Sequence, residues 1–388
     1  MKKQTSFSMT LLILLLMILL LCYPNISFNA AQEGLLLWFN KVLPSLLPFM
    51  ILVNILVPLN GLAASIDKFT PFTKRLWKLP GESLFAFIIG LIAGYPMGAR
   101  VIKSLYDGHK ISHQAAEQTL LFSNNCGPLF IIGTVGTTML GQTNLGFFLF
   151  FIHLLSACIM SLLITHYIPP TPITQPTNDT SHPPSSFFKL LNLSVMQSMD
   201  AITCVGGYMI LFSVLIALFT HHSLTQHLLA LLSPSPMKKQ LLLGAFSSLL
   251  ELSNGTYALS QLPPSPYSLA LLSAAINFGG ICVYFQTLYV LEGASFNTKS
   301  LLIAKGIQSI LSVALTLSLY PLYASINNTP SNLSLYTLNT YPTYFLYSLI
   351  LFSLCLISTH YFFGSSHLFS FPCCIRPDTF TRQKKKLD

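Results

Sequence analysis

Charge is what this sequence has least of. Only 8% of its 388 residues are Asp, Glu, Lys or Arg, against about 25% in a soluble globular domain. A chain so poor in charge cannot dress a water-facing surface, which excludes a soluble enzyme or a soluble nucleic-acid-binding domain as its class. Acidic residues number 11 against 20 basic ones, a formal charge of +9. In a soluble chain that excess would suggest nucleic acid. Here the basic residues read as loop and terminal positions that orient a membrane protein, so no nucleic-acid partner is expected. The signatures of catalysis are missing too. There is no GxSxG, no HExxH, no phosphate-cradling GxxxxGK[ST] and no pair of carboxylates, so the chain does not read as an enzyme. The eight cysteines (Cys22, Cys126, Cys158, Cys204, Cys282, Cys355 and the pair Cys373-Cys374) show no CxxC spacing. Neither a metal nor another cofactor is expected from them.

What the chain has is apolar length: 52% of it is hydrophobic and its mean hydropathy is +0.64. Apolar runs occupy 9–22, 42–64, 83–99, 118–140, 145–168, 201–220, 240–262, 267–291, 300–320 and 341–363. Most reach the ~20 residues that a helical membrane span requires; 83–99 is short for one. The sequence therefore predicts an all-α polytopic membrane protein, with the lipid bilayer as its surroundings. Met1-Lys2-Lys3 before the first run reads as an uncleaved first helix with its N-terminus inside. The Pro/Ser/Thr-rich stretch at 169–186 reads as an exposed linker. The predicted divisions are an N-terminal helix (1–33), a first membrane repeat (34–168), the linker (169–188), a second repeat (189–323), a C-terminal helix (324–370) and a basic cytoplasmic tail (371–388).

The two halves align as repeats. PFMILVNIL (48–56) matches GYMILFSVL (207–215) at an offset of 159 residues. GYPMG, ending at Gly98, falls opposite LSNG, ending at Gly255, at an offset of 157. Asn125-Cys126-Gly127 falls opposite Asn277-Phe278-Gly279, at an offset of 152. If 83–106 and 240–262 both cross the membrane the halves are parallel; if both are re-entrant hairpins the halves are inverted. With hairpins, 17 of the 20 basic residues lie inside; with full crossings, 15 do. The positive-inside bias favours hairpins, as does the position of Arg100 and Lys103 directly after the Gly-Tyr-Pro break.

Polar or helix-breaking residues inside these runs are the candidate site. In hydrocarbon every backbone polar group must be satisfied, so interrupted helices persist only where protein surrounds them or where they line a cavity. Gly94, Tyr95, Pro96 and Gly98 read as one broken tip, with Arg100 just beyond it. Asn124 and Asn125 offer adjacent side-chain amides, beside a helix opened by Gly127 and Pro128. Glu251 is read as the one acidic residue deep in an apolar run, with Ser253 and Asn254 beside it and Gly255 as the break. Its expected partner is Arg100 or a coupling cation. Asn277 and Gly279 complete the set. His153, within an apolar run and without a carboxylate in its sequence neighbourhood, is read as structural.

GLIAGYPMGARVIKSLYDG, followed by LLFSNNCGPLFIIGTVG and later by Glu251–Gly255, resembles the nucleoside-recognition or Gate-domain membrane proteins, in particular their sporulation-associated members. The resemblance covers about Gly34 to Tyr320. It implies inverted, hairpin-containing repeats similar to concentrative nucleoside transporters, in the cell membrane of a sporulating bacterium, with both termini cytoplasmic. It further implies movement of a small organic solute into the developing spore, across a forespore membrane. A dipicolinate-like anion is the first solute to test and a nucleoside-like one the second. Cys126 departs from the family pattern, which has a small polar residue there. A non-transporting scaffold or assembly factor of the spore envelope is the alternative. It predicts that substitutions at the Asn and Glu positions lower abundance rather than flux.

Overall fold

The computed structural model describes residues 2–56, 69–168, 186–232 and 235–326, with short helical pieces between 350 and 359. The tail, nearly all of the linker and most of the C-terminal segment lie outside the described residues, as does the second part of the run 42–64.

Every regular element among the described residues is helical. α1 (Lys2–Cys22) turns by 102° into α2 (Pro24–Leu37), whose first residue is a proline, where the missing N–H has no helical acceptor to lose. A π-turn at Trp38–Val42 leads into α3 (Leu43–Leu56). A short α4 (Thr70–Leu76) lies at 86° to α5 (Gly81–Ala93), which is followed by α6 (Met97–Asp107) and α7 (His113–Ser123). α8 (Leu129–Met139) is wound as a π-helix, and the 25-residue α9 (Thr143–Tyr167) closes the first half. The second half comprises α10 (Phe187–His221), α11 (Ser223–Leu232), α12 (Pro236–Leu250), α13 (Leu252–Ser260), α14 (Pro266–Phe278), α15 (Gly280–Val290) and α16 (Thr298–Ile326). By length and composition, α9, α10, the α14–α15 run Pro266–Val290 and α16 can each cross a membrane. The two bent pairs, Ile13–Cys22 with Pro24–Val42 and α4 with α5, bring the number to as many as six. This is a polytopic helical membrane protein.

The short apolar runs do not become straight spans. α5 and α6 fold back on each other: a Cβ on Gly90 would stand 3.2 Å from the Cα of Gly98. α12 and α13 do the same, with Gly255 against the backbone of Ser248 and Gly244 against Leu259. Both 83–106 and 240–262 are therefore helix hairpins. The two sequences repeated at 48–56 and 207–215 lie on α3 and α10, which pack side by side. Asn54 Nδ2 on α3 donates to Ser198 Oγ on α10 at 2.8 Å.

Helix starts follow the sequence closely. Ser112 accepts from Ala115 N, Ser235 from Lys238 N, and Ser265 and Ser268 form a reciprocal capping box at α14. The first half packs around an aromatic cluster of Trp77, Phe87 and Phe122, with ring centroids 5.2–5.6 Å apart. A second core joins the halves, with Tyr95, Cys126 and Ile131 against Leu252, Leu272 and Ile276.

Candidate functional site

Four interruptions of the chain come together. The first is the tip of the α5–α6 hairpin. Gly94 has φ 82°, a region that a side chain resists, and the Tyr95-Pro96 peptide is cis. Pro96 forms the N-terminal end of α6. The second is the non-helical stretch Asn124–Gly127 between α7 and Pro128, which leads into α8. The third is Glu251, extended at φ −144° and ψ 128° between α12 and α13. The fourth is Gly279-Gly280, both at positive φ, between α14 and α15.

These interruptions touch one another in sequence-distant pairs. A Cβ on Gly94 would lie 2.8 Å from Gly127 N. Tyr95 Oη donates to the carbonyls of Ile276 (3.3 Å) and Asn277 (3.2 Å), oxygens freed where α14 ends. A Cβ on Gly279 would meet the Tyr95 ring at 3.2 Å, and one on Gly280 would meet Ser248 O at 3.0 Å and Glu251 N at 3.2 Å. Gly98 is held a turn further on, its Cα face pressed against the Ser123 carbonyl. Between the tips lies a cavity of about 50 Å³, lined by Gly94, Tyr95, Cys126, Gly127, Glu251 and Ser253 among others.

The polar side chains at this junction are largely engaged with one another. Asn125 Nδ2 donates to Phe122 O at 2.7 Å, while its Oδ1 accepts from Lys305 Nζ and Gln308 Nε2, each at 3.2 Å. Asn277 Nδ2 donates to Ser273 O. Its Oδ1 accepts from Ser156 Oγ (2.7 Å) and Gln308 Nε2 (3.1 Å) and lies 2.9 Å from His153 Nδ1. The other ring nitrogen of His153 accepts from Cys126 N at 3.2 Å. Asn124 Nδ2 donates to Thr287 Oγ1 at 2.9 Å, and its Oδ1 is buried without a donor among the described residues.

Glu251 is buried and caps α13: its two carboxylate oxygens accept from Ser253 N (2.9 Å) and Asn254 N (2.7 Å). A carboxylate at a helix N-terminus satisfies donors that have no helical partner and meets the positive end of the helix dipole. Asn254 turns aside, its Nδ2 donating to Ser213 Oγ on α10 at 2.7 Å.

Three expectations are corrected. Arg100 does not reach Glu251. It lies one turn beyond the tip on the outer side of α6, where Nη1 donates to Gln197 O at 3.1 Å. There it borders a wider polar cavity of about 480 Å³ with Lys103, Asp107, Asp200 and Glu292. Gly255 is not the break; α13 runs through it, and its missing side chain lets α12 approach. The basic residues are not confined to loops and termini, because Lys305 is buried in the body of α16.

Sequence reasoning missed His153, Ser156, Lys305 and Gln308 as members of the junction. A signal was present. His153/Ser156 and Lys305/Gln308 are polar pairs three residues apart in otherwise apolar runs, a spacing that puts both members on one helix face.

Comparison with known proteins agrees with this architecture. Residues 39–169 match the family model described as Gate, nucleoside recognition. The chain is 28% identical over 326 residues to the sporulation integral membrane protein YlbJ of Bacillus subtilis (strain 168), covering 78% of this chain and 80% of that protein. No solved structure matches. The α5–α6 hairpin and the Asn124–Gly127 interruption fall within the matched residues, and the chain is a polytopic membrane protein whose first half is similar to the Gate family model.

Proposed function

We propose that this chain carries a small organic solute across the membrane and meets it where the two hairpin tips face each other. One observation carries the reading: interruptions from both halves of the chain, far apart in sequence, converge around one cavity lined in part by the buried Glu251. Interrupted helices persist at membrane depth where protein surrounds them or where they line a cavity, and here they line one. At about 50 Å³ the cavity has room for a few waters, whereas small-molecule sites measure about 300–1,000 Å³. The described conformation is then a closed one, and the tips of α5–α6 and α12–α13 must part to admit a solute.

The solute classes follow from the relatives. The family description points to a nucleoside-like compound, and the name of the Bacillus subtilis relative points to spore formation. A dipicolinate-like dianion suits the second context, and Arg100 and Lys103 at the wider cavity would supply positive potential on its approach. The protein would act in a forespore membrane with both termini cytoplasmic.

A second reading, a non-transporting scaffold of the spore envelope, draws on one feature: Asn125 and Asn277 satisfy each other's surroundings and leave few groups for a guest. Uptake by vesicles holding wild type, Glu251→Gln or Asn125→Ala separates the two. Dipicolinate and a nucleoside serve as the tested solutes. Flux that falls in the variants at constant protein abundance supports the carrier. Equal flux in all three removes the proposed site, and lower abundance with no flux in any supports the scaffold.

A further inference from the structure

Lys305 is 5% exposed and sits on the eighth residue of a 29-residue apolar helix. An ammonium there is expensive unless something polar surrounds it. Its polar contacts are side-chain amide oxygens: Gln308 Oε1 at 2.8 Å and Asn125 Oδ1 at 3.2 Å. The Tyr95 ring lies below it, its centroid 5.7 Å from Nζ, in the geometry of a cation–π contact. The charged atom thus faces neutral oxygens and an aromatic face, the kinds of group that hold monovalent cations in other proteins. One of these oxygens belongs to a chain interruption, at Asn125, and Gln308 extends the cluster to Asn277 beside another.

We propose that this cluster is a monovalent-cation site of which Lys305 is the built-in occupant, so that the protein needs no Na⁺ to order the junction and binds Na⁺ there only when the ammonium is removed. Asn125 Oδ1 and Gln308 Oε1 are the oxygens that Na⁺ would inherit, with Asn277 Oδ1 next to them through Gln308. The site itself stands on this geometry. Its consequence for transport, a cycle independent of a Na⁺ gradient, rests on the carrier reading above.

The test uses the purified full-length chain in detergent and compares melting temperatures in sodium chloride and choline chloride at equal ionic strength. Wild type should melt at the same temperature in both. Lys305→Ala and Lys305→Gln should each gain stability in sodium chloride alone, by roughly 2–4 °C for each kcal/mol of binding free energy. A Na⁺-specific shift in wild type, or none in either variant, overturns the proposal. Should both variants fail to fold, Asn125→Asp and Asn125→Leu decide. A carboxylate placed against a resident ammonium keeps the melting temperature near wild type while Leu lowers it; equal losses overturn the proposal. None of these readouts involves a solute. Absence of vesicle uptake would remove the carrier reading and leave the cation site standing, whereas absence of a Na⁺ effect would do the reverse.

Discussion

Asn125 and Asn277 share one donor: Gln308 Nε2 lies 3.2 Å from the Oδ1 of the first and 3.1 Å from that of the second. Each asparagine stands at or beside a chain interruption, Asn125 after α7 and Asn277 at the end of α14. The link between these two asparagines therefore runs through a single side chain of α16. Gln308→Leu should destabilise the protein by about 1–2 kcal/mol, the range for buried interhelical hydrogen bonds in membrane proteins. Thermal unfolding in detergent measures it. A loss no greater than that of a substitution at an exposed position such as Leu322→Ala would show that the tie contributes nothing.

Gly90 and Gly98 are placed to let α5 and α6 straddle the end of α7, since a Cβ on either would overlap the Ser123 carbonyl. Backbone cannot swing aside as a flexible side chain does. Gly90→Ala or Gly98→Ala should cost at least about 1–3 kcal/mol through overpacking and lower the yield of folded protein. Gly207→Ala on α10, where nothing lies within 4 Å, should be neutral or gain up to about 1 kcal/mol from helix propensity. Yield and melting temperature of the three variants, measured side by side, check the contrast.

Glu251 caps α13 with both carboxylate oxygens. Glu251→Ala should lose about 1–2 kcal/mol, as other lost caps do. Glu251→Gln keeps one acceptor oxygen and should lose about half as much. If the two variants melt together at the wild-type temperature, the capping role is wrong, whatever their uptake shows.

Arg100 bonds a carbonyl of α10 and stands away from Glu251. Arg100→Gln should change stability by no more than about 0.5 kcal/mol. In a double-mutant cycle with Glu251→Gln the two effects should add within about 0.3–0.5 kcal/mol. A coupling well above that would restore the ion pair that the sequence suggested.

The hairpins illustrate how far local signals reach. Gly94, Pro96 and Gly127-Pro128 mark breaks because glycine tolerates the backbone angles and proline lacks the donor, properties that no environment alters. The second hairpin was legible as a polar spot at Glu251–Gly255, but its break sits at Glu251 itself, since a carboxylate can begin a helix as readily as glycine can end one. Lys305 was hidden for a different reason. One cation in a long chain looks like any other until the fold shows whether it faces water, lipid or an amide oxygen.

By itself, the sequence determined the things that depend on the solvent and on single residues: a helical membrane protein with interruptions at named positions. Hydrocarbon forces helices, and glycine and proline break them, wherever the chain goes. Only the tertiary structure decided which interruptions meet, that Arg100 stands apart from Glu251, and that Gln308 and Lys305 join the halves. Those pairings span from 97 to 183 residues, and contacts at such separations are set by how whole helices pack.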